Sequence, residues 1–326
     1  MTAPGPVQAF LDAQPREQLD FLTVAEKRQY MRHLSDLNYL RYGRRPEPGP
    51  TVTDHLVATP AGPVRVKAYR PAGATGVLPA HLFLHGGGWW LGSVDELVND
   101  AICQLRCARA GCVVLAVDYP LAPEHRFPAA VEQVYAVLTR VAAAAGRWRV
   151  DPAAISVGGV SAGGNLAAAL TLKCRREGGP RLAFQLLEVP VLDLTLLLSV
   201  GAGDPDLHHA EQLVAAVRRY LPDEAAAAGE LASPLRADDL SGLPPAYLMT
   251  AELDPLRRDG ERYAARLAAA GVPATVSVEP GAIHGVSFLT RVWPAAAEWQ
   301  ETAARAVRDA HDRAVAEDRA GEGIAQ

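Results

Sequence analysis

Cysteine, methionine and aromatic residues are scarce in this chain of 326 residues, which has 4 cysteines, 3 methionines and 6% Phe, Trp and Tyr. The cysteines show neither the pairing of a disulfide framework nor the paired spacing of a zinc site. We interpret them as small buried hydrophobic residues, at positions 103, 107, 112 and 174. His208 and His209 do not suggest a metal site, because adjacent residues of a helix face different directions and no third ligand is spaced to join them. No metal is expected.

A strong excess of charge of one sign is missing as well. Lys and Arg together number 32 and Asp and Glu 37, so the net charge is −5. This mild acidic balance gives no electrostatic reason to expect a nucleic-acid or membrane-surface partner.

Long apolar runs are also missing. No stretch approaches the ~20 consecutive apolar residues that a membrane-spanning helix needs. The first 21 residues lack a basic start followed by an apolar segment, so no signal peptide is expected. The default expectation is therefore a cytoplasmic protein without a membrane span.

Hydrophobic residues make up 49% of the chain, which is enough for a large buried core. After residue 79, short apolar segments alternate with helical patterns. The predicted strands span 80–84, 112–117, 155–158, 183–189, 246–250 and 275–278. The predicted helices span 97–110, 128–145, 162–176, 257–270 and 294–315. Continuous apolar strands separated by helices indicate an α/β fold whose mostly parallel sheet is covered by helices on both faces.

Three segments do not follow this alternation. Residues 14–42 carry apolar side chains at helical spacing, which predicts one or two amphipathic helices that the Pro-rich run 45–50 ends. Residues 51–59 and 64–69 alternate apolar and polar side chains around a predicted four-residue turn, which indicates a β-hairpin. Residues 195–229 are interpreted as an insertion after a strand.

The sequence Gly159-Val160-Ser161-Ala162-Gly163 matches the pattern G-x-S-x-G. A predicted strand leads into it and a predicted helix follows, as this nucleophile motif requires. The sharp turn would hold Ser161 in a strained conformation with its hydroxyl exposed, and the glycines would let strand and helix pass closely. Ser161 is therefore the candidate nucleophile.

A serine nucleophile needs a base, and the base needs an acid that orients it. Asp254 follows the strand at 246–250, and His284 follows the strand at 275–278 through a short loop. The carboxyl ends of parallel strands meet at one edge of the sheet, where active sites gather. We predict His284 as the base and Asp254 as the acid, with Asp193, which also follows a strand, as the rival acid.

Three consecutive glycines follow the strand at 80–84, in His85-Gly86-Gly87-Gly88-Trp89. Without side chains, such a backbone can turn its N–H groups toward the oxyanion of a reacting carbonyl. A phosphate-binding loop is disfavoured, because the chain has no G-x-x-x-x-G-K-[ST] pattern and no G-x-G-x-x-G with a suitably placed acid. We predict an oxyanion hole formed by the N–H groups of Gly86, Gly87 and Ala162.

With these residues placed, the chain resembles the hormone-sensitive-lipase-like family of carboxylesterases from about residue 50 to 315. The most specific parts are HGGGWWLGS at 85–93, DYPLAPEHRFPAA at 118–130, GVSAGGNLAAAL at 159–170, LDPLRRDG at 253–260 and HGV at 284–286. The resemblance implies an α/β-hydrolase fold that works without a cofactor on a small-molecule ester. It supports Ser161 as nucleophile, His284 as base and Asp254 as acid.

The resemblance also implies a helical cap beside the catalytic domain. The cap would consist of helices in residues 1–45 and an insertion at about 195–228. The catalytic α/β-hydrolase domain would span 46–326 and carry that insertion.

Three positions depart from the pattern of the family, which usually has Arg at position 120, Asp or Thr at 160 and Phe at 286. Here these residues are Pro120, Val160 and Val286. A hydrogen bond that would brace the turn from residue 160 must therefore be absent or supplied elsewhere, and the acyl pocket is expected to be wider. We expect Trp89, Trp90, Val160 and Val286 to contact the substrate, although one tryptophan could instead belong to the core.

The leading hypothesis is a serine carboxylester hydrolase that acts through an acyl-enzyme on small or medium acyl esters. A biosynthetic enzyme that uses the same triad for cyclisation, acyl transfer or elimination is the second, motivated by the three departures. A receptor with an inactive hydrolase pocket ranks last, because all three triad residues are present. The C-terminal helix with Trp299 could pack on the sheet or form the contact of a homodimer.

Overall fold

The structure is a computed structural model that describes residues 3–15, 21–47, 49–199 and 208–324. Its strands are β1 Thr51–Thr59, β2 Gly62–Arg70, β3 Leu78–Leu84, β4 Val113–Val117, β5 Val150–Val160, β6 Phe184–Glu188, β7 Ala246–Ala251 and β8 Ala274–Glu279. Its α-helices are α1 Gly5–Asp12, α2 Val24–Tyr42, α3 Leu97–Ala110, α4 Ala129–Ala143, α5 Ala145–Trp148, α6 Ala162–Glu177, α7 Leu194–Ser199, α8 His208–Tyr220, α9 Arg257–Ala269 and α10 Pro294–Ile324.

The eight strands form one sheet in the order β1-β2-β4-β3-β5-β6-β7-β8. The β1–β2 and β2–β4 pairs are antiparallel, and the other five pairs are parallel. This confirms the predicted α/β class and the mostly parallel sheet. The hairpin turn is shorter than expected, because Thr59 pairs with Gly62 and only two residues connect the strands. Gly62 makes this possible, since its φ of 117° is accessible mainly to glycine.

Buried residues form one hydrophobic cluster on each face of the sheet. Along β3, Leu82 and Leu84 belong to one cluster and Phe83 to the other, as the alternation of a strand requires. Helices α4, α6 and α9 contribute to the first cluster. Helices α3 and α10 contribute to the second, together with residues of α1 and α2. Because both faces are covered, strands β3 to β7 are buried along most of their length.

The N-terminal region differs from its prediction. Its main helix, α2, begins at a capping box in which the Glu26 N–H donates to Thr23 Oγ1 (3.3 Å) and the Thr23 N–H to Glu26 Oε2 (2.8 Å). The earlier helix, α1, lies at Gly5–Asp12, before the region that the sequence pattern indicated. Pro6 in its first turn favours a helix start there, a local signal that the search for apolar spacing missed.

Parts of two predictions lie outside the described residues. These are positions 200–207 of the predicted insertion and the side chains of His208 and His209. Within the described ranges, no helix is both long and apolar enough to cross a bilayer. In the same ranges, no group of three or more His, Cys, Asp or Glu side chains is arranged to hold a metal ion.

Helix α6 approaches the sheet closely at two glycines. A methyl group at Gly163 would lie 2.0 Å from the carbonyl oxygen of Leu84, and one at Gly159 would lie 2.4 Å from the backbone of Gly163. Both contacts are with backbone, so no side chain can move away to make room. Only glycine at these two positions therefore lets the turn between β5 and α6 form without displacing the backbone.

We predict that Gly163→Ala lowers the free energy of unfolding by about 1–3 kcal/mol, because the added methyl group must push α6 away from β3. Urea denaturation followed by circular dichroism measures this change. The matched control is Gly146→Ala in α5, where an added methyl group meets no atom within 4 Å. Equal unfolding midpoints for the two variants would contradict the prediction.

Candidate active site

Ser161 is the single residue between β5, which ends at Val160, and α6, which begins at Ala162. Its φ of 56° and ψ of −115° are strained for a residue other than glycine. The Ser161 N–H donates to the carbonyl oxygen of Glu188 at the end of β6, with an N–O distance of 2.8 Å. The turn therefore projects the Ser161 hydroxyl from the carboxyl edge of the sheet.

His284 and Asp254 join Ser161 in one chain of hydrogen bonds. His284 Nε2 lies 2.8 Å from Ser161 Oγ, and His284 Nδ1 lies 2.7 Å from Asp254 Oδ2. The other carboxylate oxygen of Asp254 accepts the N–H of Leu256 at 2.9 Å. With Nδ1 protonated, Nε2 is free to accept the proton of the serine hydroxyl.

Two opposing effects set the pKa of His284. Burial of the ring lowers the pKa, but the negative charge of Asp254 and its hydrogen bond to the ring together raise it by more. The net pKa lies above the ordinary value of 6.5. A base with a raised pKa accepts a proton more readily, provided that the pH is high enough to keep it neutral.

Asp193, the rival acid, lies elsewhere. Its Oδ1 accepts hydrogen bonds from the N–H (3.0 Å) and the hydroxyl (2.6 Å) of Thr195, at the start of α7. Its Oδ2 lies 3.9 Å from a guanidinium nitrogen of Arg236. The structure therefore places Asp254, and not Asp193, against the imidazole.

The triple-glycine loop lies against the nucleophile turn. A methyl group at Gly86 would lie 3.2 Å from the carbonyl oxygen of Val160 and 3.6 Å from Ser161 Cβ. The N–H groups of Gly86 and Gly87 donate to no acceptor in the described parts of the chain. Ala162 is the first residue of α6, where a helix leaves its N–H groups without internal partners. These amides are available to an oxyanion beside Ser161.

The side chains expected to contact substrate differ in exposure. Trp89 is only 1% exposed and stacks on Tyr220 of α8 with ring centroids 4.4 Å apart, so it belongs to the core. Val286 is also 1% exposed and buried in the second cluster, which corrects the expectation that it lines the pocket. Trp90 and Val160 are partly buried and retain exposed surface.

The segment 118–130 supports the glycine loop rather than the chemistry. Tyr119 donates its hydroxyl hydrogen to the carbonyl oxygen of His85 (2.8 Å), and their rings stack with centroids 4.3 Å apart. The Ala122 N–H donates to the carbonyl oxygen of Trp89 at 2.9 Å. Glu124 pairs with Arg28 of α2 and has no contact with Ser161.

Arg28 is a supporting residue that the sequence analysis missed. Its Nε donates to the carbonyl oxygen of Trp90 (2.8 Å) and its Nη2 to that of Ala122 (2.6 Å). It therefore connects α2 to both the glycine loop and the segment after Asp118. Nothing in the local sequence signals this role, because the residues that it joins lie 62 and 94 positions away.

The arrangement provides what acyl transfer requires: a serine nucleophile, a histidine base within hydrogen-bonding distance, an oriented carboxylate and backbone donors without partners among the described residues. All of these groups come from loops that follow β3, β5, β7 and β8 at one edge of the sheet. Among the described side chains, no metal-binding cluster competes with this interpretation.

Comparisons with known proteins agree with this geometry. A family model described as alpha/beta hydrolase fold matches residues 81–288. The carboxylesterase NlhH of Mycobacterium tuberculosis is 42% identical over 242 residues, which cover 72% of this chain and 75% of NlhH. An ethyl acetate hydrolase of Pseudomonas putida is 33% identical over 263 residues, which cover 78% of this chain and 80% of that protein.

Solved structures show the same similarity over nearly the whole chain. The esterase of the hyperthermophilic archaeon Pyrobaculum calidifontis superposes with a TM-score of 0.84 at 33% sequence identity. The match covers 95% of this chain and 99% of the archaeal one. The chain belongs to the hormone-sensitive-lipase-like family of carboxylesterases, within the α/β-hydrolase superfamily.

Proposed function

We propose that this serine carboxylesterase hydrolyses esters with small or medium acyl groups, through an acyl-enzyme on Ser161. The observation that carries the proposal is the hydrogen-bond chain from Ser161 through His284 to Asp254, with distances of 2.8 and 2.7 Å. Similarity to an ethyl acetate hydrolase supports small esters as substrates.

In the acylation step, Ser161 Oγ attacks the ester carbonyl while His284 Nε2 takes the hydroxyl proton. Asp254 holds the Nδ1–H and stabilises the imidazolium that forms. The N–H groups of Gly86, Gly87 and Ala162 donate to the tetrahedral oxyanion. The imidazolium then gives its proton to the alkoxide oxygen, the C–O bond breaks, and the alcohol leaves.

In the deacylation step, water replaces the alcohol. His284 Nε2 takes a proton from the water as its oxygen attacks the acyl carbon. The same amides stabilise the second oxyanion, and the imidazolium returns the proton to Ser161 Oγ as the acid leaves. The proton that leaves with the alcohol is replaced by one from water, so the triad returns to its starting state and the cycle needs no cofactor.

We also propose that α1, α2, α7 and α8 form the cap, which corresponds to residues 1–45 and about 195–228. Phe10 of α1 lies against the His284 loop, stacking on Phe288 with ring centroids 6.1 Å apart. From α8, Arg219 lies over the Trp90 ring, 4.5 Å from its centroid. A crystal structure with a phosphonate bonded to Ser161, in which none of these helices touches the inhibitor, would contradict this assignment.

The two alternative functions are not favoured. The triad residues lie in hydrogen-bonding contact, which an inactive receptor pocket would not need. Relatives that cover most of the chain include several esterases, and no contact in the described structure points to cyclisation or elimination.

Two further expectations stay predictions. A cytoplasmic location is compatible with the four cysteines, which are all buried and unpaired. For the homodimer, Trp299 does not offer the contact that the sequence suggested, because this side chain is buried in the core between α10 and the sheet.

Replacing the nucleophile tests the proposal directly. Ser161→Ala should lower kcat for p-nitrophenyl acetate by about 10⁶-fold, because no other group can form the acyl-enzyme. Thermal unfolding should show that the variant remains folded. Ser241→Ala is the control, since this serine is exposed and its hydrogen-bond partners among the described residues are Asp239 and Arg175. A folded Ser161→Ala enzyme with normal turnover would disprove the assignment.

The dependence of kcat/KM on pH tests the assignment of Asp254 as the acid of the triad. The base works when neutral, so kcat/KM should rise with pH along a limb whose midpoint lies above 6.5, the ordinary histidine pKa. Asp254→Asn removes the charge that raises the pKa while burial still lowers it, so the midpoint should move to lower pH. At neutral pH, kcat should fall by about 10⁴-fold.

The control for this experiment is Asp193→Asn, which replaces the rival acid of the sequence prediction. Because Asp193 contacts Thr195 and Arg236 and not the imidazole, its replacement should leave both the midpoint and kcat unchanged. The assignment fails if the limb moves in the Asp193 variant and stays in place in the Asp254 variant.

A further inference from the structure

A buried ionic cluster lies directly behind the nucleophile turn. Glu188, the last residue of β6, accepts a hydrogen bond on Oε1 from the guanidinium of Arg106 in α3. Its Oε2 accepts the indole N–H of Trp299 in α10 at 2.8 Å. The three side chains are 1%, 0% and 2% exposed. One carboxylate is thus held from two helices on the same face of the sheet.

Stability alone does not account for this cluster. Phe184 and Leu186, which precede Glu188 on the same face of β6, are apolar and belong to the second hydrophobic cluster. Removing two charges from water is costly, and apolar side chains of similar size often serve a buried site equally well or better. An ion pair differs from apolar side chains in that its hydrogen bonds fix the orientation of both partners.

The main chain of Glu188 connects this cluster to the nucleophile. Its carbonyl oxygen accepts the Ser161 N–H at 2.8 Å. The next residue, Val189, has a φ of 41°, so the chain bends sharply immediately after Glu188. Val160, which pairs with Glu188 across the sheet, is apolar and cannot supply a side-chain hydrogen bond to the turn. The position of the Glu188 peptide therefore determines that of the Ser161 amide.

We propose that Glu188 is a positioning residue for Ser161. Arg106 and Trp299 fix its carboxylate, and its carbonyl oxygen in turn fixes the Ser161 N–H. This alignment aims Oγ at His284 Nε2 and directs the Ala162 N–H toward the oxyanion. The inference rests on the proposed function, since it concerns the catalytic use of the same serine.

The decisive variant is the double replacement Arg106→Met with Glu188→Leu, which removes the cluster without leaving an unpaired buried charge. We expect it to fold with a Tm near that of the parent enzyme. Its kcat for p-nitrophenyl acetate should fall by about 10²-fold with KM unchanged, since small misplacements of a reacting group have effects of this size. Inactivation by a fluorophosphonate, which needs the same Oγ, should slow by a similar factor.

The matched control is the double replacement Lys173→Met with Glu132→Gln. Lys173 of α6 is 3% exposed and pairs with Glu132 at 2.9 Å and with Glu177 at 2.6 Å, on the opposite face of the sheet from Arg106. Glu177 is exposed and keeps Arg176 as a partner in the variant, so no buried charge is left unpaired. Loss of the Lys173–Glu132 pair should leave kcat and the rate of inactivation unchanged. An equal loss of kcat in both double variants would show a general packing effect and overturn the proposal.

The remaining outcomes separate the positioning role from the esterase activity. A folded Arg106→Met, Glu188→Leu enzyme with parental kcat overturns the positioning role; the esterase proposal still stands if Ser161→Ala is inactive. If that variant does not fold, Trp299→Phe tests the positioning role instead. This substitution removes one hydrogen bond to Glu188 and keeps a buried aromatic ring. An approximately fivefold lower kcat at unchanged KM supports the proposal, and a parental kcat overturns it. Absence of ester hydrolysis by the parent enzyme would instead refute the proposed function.

Discussion

The left-handed conformation of Ser161 is the constraint on which the rest of the site depends. A backbone of this kind costs on the order of 1–3 kcal/mol, so the surroundings must hold it in place. Gly159 and Gly163 let β5 and α6 approach closely enough, and the carbonyl oxygen of Glu188 fixes the amide. The Ser161 hydroxyl therefore projects beyond the edge of the sheet, where both His284 and an ester can contact it.

Two pairs of charged or titratable side chains lie on opposite sides of the Ser161 turn and have different effects on it. On the substrate side, the Asp254 carboxylate acts on His284 and raises its pKa, which prepares a base. On the inner side, Glu188 and Arg106 neutralise each other inside the core and present no charge to the substrate. The Asp254–His284 pair makes the imidazole a stronger base, and we infer that the Glu188–Arg106 pair aligns Ser161. Both use a low-dielectric environment, in which charge interactions are strong.

The glycine loop depends on its neighbours because three glycines have little conformational preference of their own. Trp89 anchors the loop in the core against Tyr220, and Tyr119 and Arg28 bind its carbonyl groups. These contacts come from α8, from the segment after β4 and from α2. We infer that the proposed oxyanion donors are thereby held in place before substrate arrives, which is the condition for effective electrostatic stabilisation.

The sequence by itself determined the order of strands and helices from β3 to α10 and the identity of Ser161, Asp254 and His284 as candidates. These inferences rest on local patterns, and parallel strands bring their carboxyl ends to one edge whatever the details of packing. The two-residue hairpin turn and the early position of α1 were missed because they depend on backbone conformation at single residues.

Only the tertiary structure decided which side chains surround the triad. Trp89 and Trp90 are neighbours in sequence, but the strained backbone at Trp89 sends one ring into the core and leaves the other partly exposed. Glu188 meets Arg106 across 82 positions and Trp299 across 111. No pattern within a segment encodes such contacts, since they exist only once α3 and α10 have packed against the same face of the sheet.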